Sequence, residues 1–586
     1  MTLNIATINS LWASLLIEEL TRLGVSQFVI SPGSRSTPLV LAVADNPNAQ
    51  AITHYDERGA AFFALGYARA TQRPAAVICT SGTAVANYYP AVIEASMDCV
   101  PMILLTADRP PELRDRGANQ TITQPGIFAR YPRWERDIPC PSSEHPPSFI
   151  LDIADEAYQR STGSPMGPVH LNCMFREPLA PVKNEENDSR DAASLTSWIS
   201  GRVSPSKNTA AVSSLSEGEL AAATNALGKV SRPMLVVGGL RNRIERNAVI
   251  ELAEHLQWPM IADSGSGLRA GRINSRINYF DLILASERFT AIQKPDAVLQ
   301  IGSRLTSKRL LAYLEHAEPS TYLQLLDHPF PHDPIKRVTM RLQTDLASGV
   351  RQITESLSSS RHFGWLEAWK AAAKTAEVNL EKILKSSDRL SEPLIASLVS
   401  DKIPSDSAIW AASSMPIRDL DMFYSPQGPP VSVGCNRGAS GIDGTIASAA
   451  GYACGTRRPV TLLIGDLAML HDLNSLAILK HSDIHLTIVV INNNGGGIFG
   501  HLPIAEFGSA FERYFVVPHG LGFARAAEMF GIPYTRAESA SEFLPAYRSA
   551  CHDTRVSIIE LIVDREANQR FHASLVTSIA AEVGKL

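Results

Sequence analysis

Apolar residues recur at helical spacing through Ile8, Leu11, Trp12, Leu15, Leu16, Leu20 and Leu23, and Gly24 stands where the helix they predict would stop. The short apolar run Phe28-Val29-Ile30 then reads as a strand. It leads into the turn Ser31-Pro32-Gly33-Ser34-Arg35 and a helix beginning near Thr37. A strand at 51–55, a helix over about 58–71 and strands at 75–79 and 101–106 continue the series. Strand and helix in alternation predict a parallel sheet covered on both faces. A second series has strands near 233–237, 258–262 and 296–301. A third has strands near 408–412, 460–464, 486–491 and 556–563, with a helix over 468–481. The stretch 183–218, rich in Ser, Asn, Asp and Glu, reads as a linker, and Ser356 to Ser360 is a looser break.

The expected fold is therefore α/β, with three doubly wound parallel-sheet domains. Their expected bounds are 1–183, 219–355 and 375–586, with 184–218 as the linker. The three series share architecture rather than sequence, and no short-period repeat is visible.

Composition narrows the function classes. The 586 residues are 45% hydrophobic and 19% charged, with a net charge of −5. That balance argues against nucleic acid as a partner and makes any basic site local. Seven scattered cysteines form no CxxC pair and read as reduced thiols of a cytoplasmic protein. The first apolar stretch lacks a basic leader and is interrupted by Glu18 and Glu19, so no signal peptide is expected. No apolar run reaches the roughly 18 residues a membrane span needs.

The sharpest chemical signal is Gly465-Asp466 followed by Asn493-Asn494-Gly495. Each polar residue falls just beyond a predicted buried strand, and a strand–helix–strand unit places such strands parallel and side by side. Asp466 and Asn493 are thus expected to face each other at the carboxyl edge of one sheet, where open α/β sheets bind ligands. A carboxylate, an amide oxygen and a nearby backbone carbonyl make an all-oxygen set suited to Mg²⁺, which completes its shell with phosphates. An ordinary strand–helix turn also uses Asp and Asn; the matched positions at two strand ends favour the metal site.

A second signal is a set of cations in turns: Arg35, Arg109, Arg418 and Arg437, with Lys308. Singly, each reads as a solvated charge. Together, in an acidic chain, they suggest a pocket clamping several carboxylates by forked hydrogen bonds. The central segment Val236-Val237-Gly238-Gly239 lacks a G-x-G-x-x-G fingerprint, so neither flavin nor nicotinamide is expected there.

The pattern around 465–495 resembles that of the thiamine diphosphate enzymes. The resemblance implies a pyrimidine-binding, central, diphosphate-binding order of domains. It implies thiamine diphosphate as cofactor, held through Mg²⁺ (or Mn²⁺) on Asp466, Asn493 and the Gly495 carbonyl. That class uses a glutamate to exchange a proton with the aminopyrimidine ring, and His54-Tyr55-Asp56-Glu57-Arg58-Gly59-Ala60 makes Glu57 the candidate. Read alone, Glu57 is a helix N-terminal acid favoured by the dipole. Ile442 is implied as the apolar residue that bends the cofactor, with plain core packing as its other reading.

The segments SPGSRSTPL, HYDERGAAFFALGYAR, TADRPPELRDRGANQTITQ, NRGASGIDG and GDLAMLHDLNSLA…NNNGGGIF are similar to one branch of that class. Its members join 2-oxoglutarate to isochorismate, with loss of CO₂, in menaquinone and phylloquinone biosynthesis. By this resemblance Ser34, Arg35, Arg109, Asn119, Gln120, Lys308 and Phe499 contact isochorismate. Ser414, Arg418 and Arg437 hold the succinyl unit, and Ile498 and Leu502 line the pocket, with Ser414 and Ile498 also touching cofactor. The cofactor spans two chains in this family, which implies at least a homodimer, with a homotetramer also compatible. The likeness is thin over 183–300 and past about 505, and Ser31 stands where a cysteine is half expected.

Two other readings stay open at this point. One is an acetolactate-synthase-like or 2-oxoacid decarboxylase activity, which leaves the arginines unexplained. The other is a non-catalytic cofactor-binding scaffold, whose mark would be loss of Glu57 or Asp466.

Overall fold

The computed structural model describes residues 7–181, 198, 213–358, 363–480, 483–553 and 555–586. The expected linker lies outside these residues apart from Trp198 and its last few positions, and the end of the helix expected over 468–481 also falls outside them.

Three separate parallel sheets form. The first contains β1 (Gln27–Ile30), β2 (Gln50–Thr53), β3 (Ala75–Cys79), β4 (Met102–Asp108), β5 (Trp134–Ile138) and β6 (Pro168–Met174), in the order β2-β1-β3-β4-β6-β5. The second contains β7 (Pro233–Val237), β8 (Met260–Ala262), β9 (Ala297–Ile301), β10 (Thr321–Leu326) and β11 (Met340–Gln343), in the order β11-β10-β9-β7-β8. The third contains β12 (Ala408–Ala411), β13 (Ser432–Cys435), β14 (Val460–Gly465), β15 (Leu486–Asn492), β16 (Tyr534–Ala537) and β17 (Val556–Ile562), in the order β13-β12-β14-β15-β17-β16. The inner strands are continuous apolar runs buried on both faces, as the alternation with helices requires.

The chain forms two compact units. The first comprises the described residues of 1–210 with 436–457 and 471–484; the second comprises those of 211–435, 458–470 and 485–586. The first unit holds the first sheet, and the second unit holds the other two.

The first helix, Ile8–Leu23, stops at Gly24, whose φ of +109° places its N–H on the Leu20 and Thr21 carbonyls. The helix is buried along most of its length, Glu18 and Glu19 included. Glu18 meets Arg22 and Asn46, and Glu19 accepts from the Trp198 indole at 2.6 Å. Buried carboxylates are tolerated here because each is hydrogen-bonded.

The helix Glu57–Thr71 packs against Thr445–Thr456 of the same unit. A Cβ on Gly66 would lie 2.0 Å from the Ser448 carbonyl oxygen, and one on Gly451 would lie 1.9 Å from that of Phe63. Only glycine allows the two backbones so close.

Two expectations need correction. The strand expected at 51–55 ends at Thr53. The single helix expected over 468–481 is instead two short helices, Asp466–His471 and Leu476–Lys480, joined by a 3₁₀ turn. The break follows from Asp472, a fully buried residue. Its carboxylate accepts from the backbone N–H of Ile446 (2.7 Å) and Ala447 (3.0 Å) and from Ser475 Oγ (2.8 Å). It thereby caps the helix Thr445–Thr456 from a distant point in the chain. Burial pushes this carboxyl up to about 6.

Candidate functional site

In the second unit, β14 and β15 pair in parallel with Gly465 opposite Ile491. Their register brings Asp466 and Asn493 to one sheet edge, each one residue beyond its strand. Asp466 is 2% exposed and Asn493 9%. The Asp466 carboxylate accepts from the N–H of Leu467 (2.6 Å) and of Gly495 (2.9 Å), so the two tips are bonded directly. His519 Nε2 lies 3.2 Å from the same carboxylate oxygen that meets Gly495. Burial raises the Asp466 carboxyl above its ordinary range, against the pull of Gly495 and His519.

Three consecutive asparagines divide the local work. Asn492 donates to Glu560 (2.6 Å) and to the Leu521 carbonyl (2.9 Å). Asn494, in the left-handed region at φ +60°, accepts from the N–H groups of His519 and Gly520 and so fixes the loop that carries His519. Asn493 donates to Glu392 Oε1 at 2.9 Å. Its own buried Oδ1 has no hydrogen-bond donor among the described residues. Gly495 has φ +133°, and a Cβ there would sit 2.2 Å from the Val516 carbonyl oxygen, so the turn requires glycine. The Gly495 carbonyl takes one bond, from Gly497 at 2.9 Å, and keeps a second lone pair.

These oxygens fit a hard divalent cation. A buried carboxylate held above its range, an amide oxygen without a donor and a partly used carbonyl are the donor types that Mg²⁺ takes. Among the described residues no three His, Cys, Asp or Glu side chains gather for a metal, so an ion at this edge draws on amide and backbone oxygens besides Asp466. Sequence reading did not single out Glu392 or His519. Glu392 lies 101 positions from the asparagine it orients, and no local pattern marks that pairing.

Ser414 follows β12, which pairs with β14, and so belongs to the same sheet edge. It adopts φ +74° at the residue before the helix Met415–Phe423, makes no side-chain capping bond, and accepts from Arg418 at its carbonyl. Ile498 and Phe499 are half-buried on the 3₁₀ turn after Gly496, with Phe499 edge-on to Phe515 at 5.7 Å. Leu502 is exposed. Lys308 is exposed at the start of the helix Lys308–Ala317.

The first unit carries the remaining candidates. Glu57 is half-buried at the first position of its helix, whose cap is Asp56 accepting from Arg58 and Gly59. Burial, followed by smaller effects that include the charge of Glu57, pushes the Cys79 thiol and the Tyr88 phenol well up.

Arg35 is buried and donates to the Phe175 carbonyl at 3.0 Å. Arg109 donates to Ser81 Oγ. Burial first, and the charge of Arg35 second, draw Arg109 below its ordinary range. Asp108 and Glu177 pull the other way, and Glu177 lies 3.3 Å from Arg35. Gln120 and Ser81 are joined by two 3.0 Å bonds between side chain and backbone. Beneath them Gln124 accepts from Gly82 and donates to Asn172, which in turn meets Asp108 and Asp137. Asn119, Gln120 and Ser34 are exposed. Arg437 and Ile442 are half-buried in the loop that precedes the helix Thr445–Thr456.

Comparisons with known proteins agree along the whole chain. Residues 12–127 match the thiamine pyrophosphate enzyme N-terminal TPP binding domain. Residues 193–410 match the middle domain of thiamine pyrophosphate enzymes, and 407–561 match the C-terminal TPP binding domain. A 2-succinyl-5-enolpyruvyl-6-hydroxy-3-cyclohexene-1-carboxylate synthase of Rubrobacter xylanophilus is 50% identical over 573 residues, 98% of each chain. The synthase of that name from Salinibacter ruber is 44% identical, covering 98% of this chain and 97% of its own. That from Chlorobium limicola is 41% identical over 99% of both. A solved structure of a thiamin diphosphate-dependent enzyme isolated from Mycobacterium smegmatis superposes with a TM-score of 0.70 at 17% identity, over 94% of this chain and 99% of its own. At that identity the likeness is one of fold.

Proposed function

The chain belongs to the 2-succinyl-5-enolpyruvyl-6-hydroxy-3-cyclohexene-1-carboxylate synthases, thiamine diphosphate enzymes, and from that premise we propose how its residues divide the reaction. The substrates are 2-oxoglutarate and isochorismate. The carboxyl group next to the ketone of 2-oxoglutarate leaves as CO₂. The former keto carbon bonds to the ring alkene of isochorismate, and the conjugated ring carbon takes a proton. When bound, thiamine diphosphate supplies the electron sink that this decarboxylation and carbon–carbon bond formation need.

Asp466, Asn493 and the Gly495 carbonyl hold the Mg²⁺ or Mn²⁺ that anchors the diphosphate. Glu57 would hold and return a proton opposite the aminopyrimidine ring of the bound cofactor, and Ile442 would pack against it. Ser414, Arg418 and Arg437 hold the succinyl unit, the two arginines meeting its one carboxylate. Ser34, Arg35, Arg109, Asn119, Gln120, Lys308 and Phe499 contact isochorismate, whose two carboxylates suit the cations among them. Ile498 and Leu502 line the pocket. The reading includes a homodimer or homotetramer in the cytoplasm, with domain bounds near 183, 219, 355 and 375. No helix among the described residues is long and apolar enough to cross a membrane.

The observation that carries the proposal is the bonded pair of strand tips at Asp466 and Gly495, with the Asn493 oxygen turned free beside them. The test is mass-spectrometric product analysis with uniformly ¹³C-labelled 2-oxoglutarate, isochorismate, Mg²⁺ and thiamine diphosphate. A product retaining four labelled carbons supports it; turnover of pyruvate alone contradicts it. Arg418→Ala removes a charged hydrogen-bonding group worth about 1.5–3 kcal/mol. The KM for 2-oxoglutarate is expected to rise by roughly 10- to 150-fold, with the KM for isochorismate nearly unchanged. Unaltered kinetics would take Arg418 out of the site.

A further inference from the structure

Glu94 has no task in this scheme, yet it is tied to part of the proposed site. It sits in the helix Tyr89–Met97 and is 2% exposed. Its carboxylate accepts from three successive backbone N–H groups: Gly438 (2.7 Å), Ala439 (2.6 Å) and Ser440 (3.3 Å). Arg69 reaches Glu94 Oε1 at 3.5 Å and also bonds Asp98, at the end of the same helix. A Cβ on Gly438 would lie 2.5 Å from the Glu94 carbonyl oxygen and 3.1 Å from its carboxyl group, so only glycine allows the approach. Ser440, at φ +62°, takes a backbone conformation that lets neighbouring amides turn to one side.

Packing does not cover the middle of this loop. Ala439 and Ser440 are exposed. A cavity of about 180 Å³, lined by Phe62, Pro90, Ile93, Glu94, Asn436 and Asp443 among others, lies against it. Charge-assisted bonds to a carboxylate are about twice as strong as neutral ones; these three hold the middle of the loop, while Asn436 bonds Ser448 at its start and Thr445 bonds the Ile442 carbonyl at its end. Arg437 precedes the clamped amides and Ile442 follows them.

We propose that Glu94 is a positioning residue whose carboxylate clamps Gly438–Ser440 and thereby sets where Arg437 and Ile442 stand. The inference rests on the reading in which those two residues face substrate and cofactor.

The test compares wild type with Glu94→Gln in the full-length enzyme. Glutamine keeps the size but puts an NH2 where one carboxylate oxygen accepted, so one end of the clamp faces donor to donor and the bonds at the other end lose their charge. Hydrogen exchange of the amides in 437–444 is expected to quicken about tenfold or more. The helix Tyr89–Met97 should keep its protection. In steady state the KM for 2-oxoglutarate should rise about tenfold, and Glu94→Asp should restore part of it. Wild-type exchange at 438–440, or quickened exchange throughout the unit with an unchanged KM, overturns the proposal.

If Glu94→Gln does not fold, Gly438→Ala decides instead, since its Cβ pushes the loop off the same clamp. The same local exchange and KM changes support the proposal, and wild-type behaviour overturns it. Should wild type fail to turn over 2-oxoglutarate with isochorismate, the functional reading falls, while the exchange data still decide whether Glu94 holds the loop.

Discussion

Asp466→Ala is expected to leave a folded protein that no longer binds thiamine diphosphate in a metal-dependent way. The carboxylate is buried and is held above its ordinary range by that burial, so removing it does not strip the ligand-free chain of a stabilising charge. It removes the acceptor of the Leu467 and Gly495 N–H groups and, on the proposed reading, the one anionic donor among the three oxygens for the cation. Loss of an outer-shell partner typically weakens metal binding about 10- to 100-fold, and loss of a charged ligand should exceed the upper end. Titration calorimetry in Mg²⁺ should therefore show cofactor affinity weakened by more than about 100-fold. Thermal unfolding gives a second view. Wild type at 100 times its Kd should gain about 2.7 kcal/mol from cofactor, and the variant at the same concentrations should gain almost none. Unchanged affinity would remove Asp466 from the metal site.

Glu57→Gln is expected to separate binding from turnover. Glutamine has the same shape and still meets a ring nitrogen, so the cofactor Kd should stay within a few-fold of wild type. It does not ionise, and it can neither take a proton nor return one. Proton transfer by a positioned side chain contributes about 10²- to 10⁴-fold to rate, and kcat should fall by that order. The helix should be undisturbed, because its cap is Asp56 rather than Glu57. A fully active variant would show that proton exchange runs elsewhere.

Much of this was legible in the sequence where burial is complete. β3, β7, β14 and β15 are unbroken apolar runs, and they stand within a residue of where periodicity puts them. Edge strands β11 and β16 went unread because half their side chains meet water and no pattern marks the buried face. β6 went unread for a different reason. It is wholly buried but carries His170 and Asn172, whose bonds to Thr106, Gln124 and Asp108 make a polar core that no run of letters announces. The same holds at the site. Asp466 and Asn493 follow buried strands and could be paired from connectivity alone. Glu392, His519 and Glu94 act through partners 101, 53 and about 345 positions away, and only folding reveals them.

The central claim is that three oxygens at two neighbouring strand ends hold the cation. Crystals grown with thiamine diphosphate and Mn²⁺ in place of Mg²⁺, measured for the anomalous signal of manganese, test it most directly. The account predicts one strong peak about 2.1–2.3 Å from the Asp466 carboxylate, Asn493 Oδ1 and the Gly495 carbonyl, with diphosphate oxygens completing the shell. A peak at any other place, or a diphosphate seated away from this edge, would contradict it.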